Sequence, residues 1–224
     1  ELRSGLRGFG VFLGCLFLGV LAISAVGSLG RALEAGLAAD AKAILGGDVS
    51  IALTSRDLTD AEAEYLQPLG TLGQTLSTRT MGRGGNGTNG HPKSVLVELK
   101  GVDRLYPMYG TIELEGGGDV QDLLPVADGL PGAVADPDLL ARLGIQVGDE
   151  LAVGDTRIQL RGVIQREPDR VMEFFSLGPR LMISAEAFRH TGLMQPGSLF
   201  RVEYLLRLPD NSAPRVAESI RSAF

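Results

Sequence analysis

The chain has 224 residues, 44% of them hydrophobic and 21% charged, with a formal net charge of −6. That balance is ordinary for a globular protein and leaves no basic field to draw in nucleic acid. A single cysteine excludes an internal disulfide framework and a cysteine-based zinc site, and His91 and His190 belong to no metal-spaced cluster.

The first element is the most distinctive. Gly8 to Gly30 contains no Asp, Glu, Lys, Arg or His and is bracketed by Arg7 and Arg31. As a helix it would rise about 34 Å, enough to cross a hydrocarbon core of about 30 Å. It is apolar all round, unlike a helix lying on a soluble core. Gly14 and Gly19 are among the small residues that would let a second helix approach closely. A cleaved signal peptide would have a shorter apolar core, and a lipoprotein would turn polar after Cys15, so a transmembrane helix is the reading adopted. Arg3 and Arg7 lie ahead of it and Arg31 and Lys42 behind it, a distribution that only slightly favours a cytoplasmic N-terminus.

The helical pattern continues beyond the apolar stretch. Leu29, Leu33, Leu37, Ala41 and Leu45 recur every four residues until Gly46-Gly47, which predicts a stalk helix continuous with the membrane segment. Leu33 and Leu37, with Gly14 and Gly19, are the candidate helix-pairing positions. The chain begins at Glu1 rather than Met, which suggests a fragment of a longer protein.

Val49, Ile51 and Leu53 alternate with small polar residues, as in a half-buried strand. Thr59 and Glu62 have capping-box spacing and open a short helix that Pro68 and Gly70 close. A polar strand follows from Leu72 to Met81, then a Gly-rich loop through Pro92, which lacks the Gly-Lys-Ser/Thr ending of a phosphate loop. Ser94 to Leu99 and Thr111 to Glu115 read as strands, and Gly116 to Gly118 as a boundary. Asp136-Pro137 begins a helix that Gly144 ends. Gly148 to Val153, the turn Gly154-Asp155 and Thr156 to Ile164 form a hairpin. Leu181 to Ile183 is a further strand. Phe200 to Leu208 alternates as a half-exposed strand, and Val216, Ile220 and Phe224 mark one face of a closing helix.

These elements predict an α+β fold. Residues 1–47 form the transmembrane and stalk helix. Residues 48–118 and 199–224 form a split βαβ, ferredoxin-like (porter-like) subdomain lacking its last strand, and residues 119–198 form a small β-rich subdomain inserted in it. No catalytic constellation, calcium loop or dinucleotide fingerprint is present, so no catalytic, cofactor-binding or metal-binding residue is assigned and the chain is expected not to be an enzyme. The acidic pairs Asp48 with Asp57, Asp136 with Asp138, and Glu167 with Asp169 read as caps and turns. In Val171 to Leu177, the side chains of Met172, Phe174, Phe175 and Leu177 surround one Glu. They read either as subdomain core or as an adaptable contact for a hydrophobic ligand or partner.

Five motifs carry a resemblance to a known family: Leu45-Gly-Gly-Asp-Val49, Tyr106-Pro-Met-Tyr-Gly110, Val147-Gly-Asp-Glu-Leu151, Glu167-Pro-Asp169 and Leu177-Gly-Pro-Arg180. Following an N-terminal helix and stalk, they resemble the first part of an ABC-transporter permease of the FtsX/MacB-like superfamily. The resemblance implies a bacterial inner-membrane protein with its N-terminus inside and its globular part in the periplasm. It implies further transmembrane helices of the same permease and a homodimeric cytoplasmic ABC ATPase as partners, with a periplasmic hydrolase or acceptor as another. ATP would be bound by that ATPase and no cofactor by this chain. The implied mechanism is mechanotransmission, with a lipid-like cargo. Two readings from other classes stay open at this point: a single-span sensor or scaffold, and a membrane-anchored enzyme whose site has no familiar motif.

Overall fold

In the computed structural model the described residues are 12, 14, 16–21, 24, 25 and 28 near the N-terminus, followed by 46–85, 92–170, 178–195, 197–209 and 213–223. The chain divides into two units, Glu1–Ala41 and Lys42–Phe224. In the first unit the described positions are helical and exposed. A Cβ added at Gly14 or Gly19 would meet nothing within 4 Å. Among the described residues no helix is long and apolar enough to cross a membrane. Much of the Gly8–Gly30 stretch lies outside those residues, as do Leu33 and Leu37 and the stalk pattern they belong to.

The second unit opens with β1 (Val49–Thr54), α1 (Asp60–Leu66), a 3-10 turn (Gln67–Leu69), β2 (Thr71–Gly84) and β3 (Lys93–Val102). Then come β4 (Glu113–Leu114), α2 (Val120–Leu123), β5 (Gly132–Ala135), α3 (Pro137–Leu143), β6 (Glu150–Val153) and β7 (Thr156–Arg166). The chain closes with β8 (Arg180–Ser184), α4 (Ala185–His190), β9 (Arg201–Arg207) and α5 (Ala213–Ala223).

Local chemistry explains many of the boundaries. The Thr59 side chain accepts from the Glu62 backbone N–H while Glu62 accepts from the Thr59 N–H, a reciprocal cap that starts α1. Pro137 occupies the first turn of α3, and Gly144 ends it at a φ of +71°, in the left-handed region. β6 and β7 pair as an antiparallel hairpin with Val153 opposite Thr156. The strands expected at Leu72–Met81 and Ser94–Leu99 are both longer than predicted, because they pair with each other from Thr75 opposite Val102 to Gly84 opposite Lys93, and Thr71–Ser77 of β2 also pairs with β9. The strand expected at Thr111–Glu115 shrinks to Glu113–Leu114.

The strands order as β1-β9-β2-β3-β8-β5-β7-β4, and β6 pairs with both β2 and β7. Following those pairings from β2 through β3, β8, β5, β7 and β6 returns to β2, so six strands close on themselves. β2 belongs to two arrangements. Its first half, Thr71–Ser77, pairs with β9, and its end, Gly82–Gly84, pairs with β6. β1 and β2 both flank β9 antiparallel and are joined by α1.

Two apolar cores result. The larger lies inside the ring, where Leu76, Val97, Leu99, Leu160 and Leu181 meet Leu139 and Leu143 of α3 and Phe188 of α4. Gly101 permits the close approach of α4, since a Cβ there would fall 2.7 Å from that of Phe188. The smaller core covers the outer face, where Val102, Val134, Ile164 and Met182 pack under Tyr106, Leu114, Val120 and Leu124. β5 and β8 are therefore buried on both faces, with Val134 and Met182 pointing one way and their neighbours the other.

Candidate functional site

At one end of the outer core lies a buried ionic network. Leu99 and Gly101 face the ring interior, so alternation along β3 turns Lys100 to the opposite side. Tyr106 reaches the same place from the loop after β3, Glu167 and Asp169 from the end of β7, Arg180 from the first position of β8, and Asp136 from the residue after β5. The Lys100 ammonium donates to Tyr106 Oη at 2.8 Å, Glu167 Oε1 at 2.7 Å and Asp169 Oδ2 at 2.6 Å, which uses all three of its N–H groups. It also sits 4.4 Å from the Tyr106 ring centroid. The Tyr106 hydroxyl lies 2.9 Å from Glu167 Oε1 and 2.8 Å from Asp169 Oδ1, and its single proton serves one of them.

Arg180 completes the network. Its Nε donates to Glu167 Oε2 at 3.0 Å, and its Nη1 is 3.3 Å from Glu98 Oε1. Its backbone N–H donates to Asp136 Oδ2 at 2.8 Å. Arg170 grips that same carboxylate with both Nη atoms, at 2.7 and 2.8 Å. The Asp136 carboxylate thus ties chain positions 170 and 180 together.

The electrostatics follow from burial and pairing. Burial alone would push the Lys100 pKa down, but the facing Glu167 and Asp169 carboxylates outweigh it and the net direction is up. Burial would raise Glu167, but Lys100 and Arg180 hold it down to about 2. Tyr106 is pushed well up, by burial first and the two carboxylates second. At neutral pH the lysine is charged, the glutamate ionised and the phenol neutral. None of these is a poised acid, base or nucleophile. The ammonium bridges the carboxylate pair as a cation would. Among the described residues no group of three or more His, Cys, Asp or Glu is placed to hold a metal ion. The arrangement is an electrostatic clamp between strand ends.

Sequence reasoning read Glu167, Asp169 and Asp136 as local turn acids, and the structure corrects this. Asp136 makes no side-chain cap to its helix, and its bonds go to Arg170 and Arg180. Asp48 likewise bonds the Tyr109 hydroxyl at 2.8 Å and the Leu208 N–H at 2.9 Å. Asp57 does bond its neighbour's Leu58 N–H, but also takes the Tyr204 hydroxyl and Arg189. The candidate contact residues Met172, Phe174, Phe175 and Leu177 lie outside the described residues. The clamp fixes both flanks of that segment, at Arg170 and Arg180. Four of the five motifs noted in the sequence meet in these contacts. Tyr106, Glu167, Asp169 and Arg180 form the clamp, and Tyr109 joins its motif to Asp48 of β1's approach.

This chain is homologous to part of an ABC transporter permease, as its motifs implied. The relative is YbbP of Escherichia coli (strain K12), described as an uncharacterized ABC transporter permease. It is 32% identical over 184 residues, which cover 82% of this chain and 21% of that protein. The chain therefore spans about a fifth of the length of this relative. Among solved structures, the chain is similar to the extracellular domain of the noncanonic ABC-type transporter YknZ from Gram-positive bacteria. The TM-score is 0.47 and the identity 11%, over 74% of this chain and 84% of that one. It is also similar to the periplasmic region of MacB from Actinobacillus actinomycetemcomitans, with a TM-score of 0.46 and 15% identity over 75% and 73% of the two chains. No family model matches the chain.

Proposed function

We propose that this chain is an extracytoplasmic portion of an ABC-transporter permease anchored in the bacterial inner membrane by the Gly8–Gly30 helix, with its N-terminus inside. The observation that carries this reading is the 184-residue relationship to an ABC transporter permease. Its work is mechanical. A separate homodimeric ATPase binds and hydrolyses ATP in the cytoplasm, and the resulting movement reaches this domain through the stalk around Leu33 and Leu37. The domain itself is non-catalytic and takes no cofactor, in keeping with a clamp whose groups are locked in their neutral-pH charge states. Residues 48–118 and 199–224 are read as a split βαβ unit, and residues 119–198 as the part inserted in it. The cargo is a lipid-like compound, met through the apolar run Val171–Leu177 and passed to a periplasmic hydrolase or acceptor.

The test is made on the full-length membrane protein. Affinity purification is expected to bring down an ABC ATPase whose turnover collapses when Leu33 and Leu37 are replaced by Asp. A protein that purifies without an ATPase would overturn the reading and bring forward a single-span sensor or an anchored enzyme.

A further inference from the structure

β1 is the last strand on its side of the sheet, and β9 is its partner among the described residues. Just beyond β1, the Ser55 N–H donates to the Phe200 carbonyl at 2.8 Å. Residues bonded to a partner alternate along an antiparallel ladder, so Val49, Ile51 and Leu53 turn their N–H and C=O groups to β9. Those of Ser50, Ala52 and Thr54 point to the other side. An edge left open in a mature protein is commonly guarded by a charge or a proline. β1, with the sequence Val-Ser-Ile-Ala-Leu-Thr, has neither. Its apolar side chains are also incompletely covered. Val49 and Leu53 are half-buried, whereas the β9 residues opposite them, Leu206 and Val202, are fully buried.

The topology shows from where that edge is reached. β1 and β2 run parallel on either side of β9 and are joined by α1. β9 runs the opposite way and is followed by α5, which packs against β1. The Tyr65 hydroxyl of α1 lies 3.1 Å from that of Ser219 of α5, so both helices cover one face. Crossovers between parallel strands are right-handed. With its helix on the same face and its strand reversed, a crossover from β9 steps the opposite way to the one from β1. It therefore passes over β1 to the open edge, while the far side of β2 is taken by β3. The lengths agree. β9 ends near Val49, since Leu206 lies opposite that residue, and the 11 residues of α5 then rise about 16 Å. That returns the chain towards the Thr54 end of β1, a strand about 20 Å long.

We propose that the segment following α5 adds to the free edge of β1 as an antiparallel strand, entering beside Thr54 and leaving beside Val49. This rests on the split βαβ reading and on a chain longer than these residues, as the permease relative is. The first test is hydrogen exchange, resolved to single residues, on the full-length membrane protein. The amides of Ser50, Ala52 and Thr54 are expected to exchange within about tenfold of those of Ile51 and Leu53. Faster exchange at these three would overturn the proposal. Benzoylphenylalanine placed singly at Ser50 and Thr54, both exposed, then identifies the occupant through mass spectrometry of cross-linked peptides. Besides β9, cross-links are expected within about a dozen residues after Phe224, a short loop plus one strand, in a product of monomer mass. Those from position 54 should lie nearer Phe224 than those from position 50. The reverse order, or cross-links to β9 alone, to residues 1–45, to a second copy or to another protein, would overturn the proposal. Neither readout involves an ATPase, so the permease reading stands or fails separately.

Discussion

The two faces of β3 and β8 bury their residues by opposite means. Inward, Leu99, Leu181 and Ile183 join an apolar cluster, and the contact is stabilised by area removed from water, which is forgiving of small rearrangements. Outward, Lys100 and Arg180 are just as inaccessible, but each charge is tolerated only because a specific partner faces it. The apolar face supplies most of the free energy. The ionic face supplies register, because only one arrangement of the strand ends satisfies it. The contrast predicts that the outer face is the less tolerant of losing a single group.

The sharpest way to break the comparison is Lys100→Met, which leaves Asp169 without a counter-charge and buried Glu167 with Arg180 as its remaining one. It is expected to cost about 3–5 kcal/mol, read as a fall in thermal midpoint of roughly 10 °C. Adding Glu167→Gln and Asp169→Asn to Lys100→Met should recover most of that loss. If the triple variant is no more stable than the single one, unpaired charge is not the cause. Inside the ring, Leu160→Ala should cost about 2–5 kcal/mol by creating a cavity, with no comparable rescue from neutralising its neighbours.

Acidity separates the faces next. Glu167 is held down to about 2 in the fold against an ordinary value of 4.5. Its contribution is therefore present above about 4.5 and lost as pH falls from there towards 2. Lys100 and Tyr106 are both raised, so their contribution is intact below about 10 and lost above it. Denaturant titrations across this range should show losses at both ends. The Lys100→Met, Glu167→Gln, Asp169→Asn variant should flatten the acid loss and reduce the alkaline one, which buried Tyr106 still supplies in part, whereas Leu160→Ala should lower the whole curve without changing its shape.

The smallest effects belong to features on neither face. Thr59→Ala removes the α1 cap and should cost about 1 kcal/mol. Arg142→Ala breaks an exposed i,i+4 pair with Asp138 and should change stability by less than about 0.5 kcal/mol.

Where the signal is local, the sequence reveals the structure. The Thr59–Glu62 box and the Gly154-Asp155 hairpin each depend on residues within a few positions of one another and appear as expected, and β9 forms where a strand was expected, although Leu205 and Leu206 are both buried and break its alternation. β5 escaped because Gly132–Ala135 is buried on both faces and shows no alternation to detect. α4 escaped because its six residues are too few for a helical period to emerge, although Ser184 does cap it through the Ala187 N–H. The closure of the ring and the clamp were illegible for a different reason. Lys100 and Glu167 are 67 positions apart, and no spacing rule connects them. The one available hint was the pair Glu98 and Lys100, two charges that interrupt and end the otherwise apolar run from Val95. The two flanks of the clamp, Glu167-Pro-Asp169 and Gly178-Pro-Arg180, stood out as motifs before their purpose could be seen.

The separation of β1 from β9 has a consequence for how the protein is made. Ser50 of β1 bonds Glu203 of β9, 153 positions later, and β9 is the strand β1 pairs with. A chain synthesised from its N-terminus exposes Val49, Ile51 and Leu53 well before their pairing strand exists, whereas β2, β3 and β5 to β8 can assemble among themselves first. The ring should therefore be the early-folding unit and β1 a late addition, with an interval during synthesis in which β1 is an unpaired, aggregation-prone edge that a holdase chaperone would recognise.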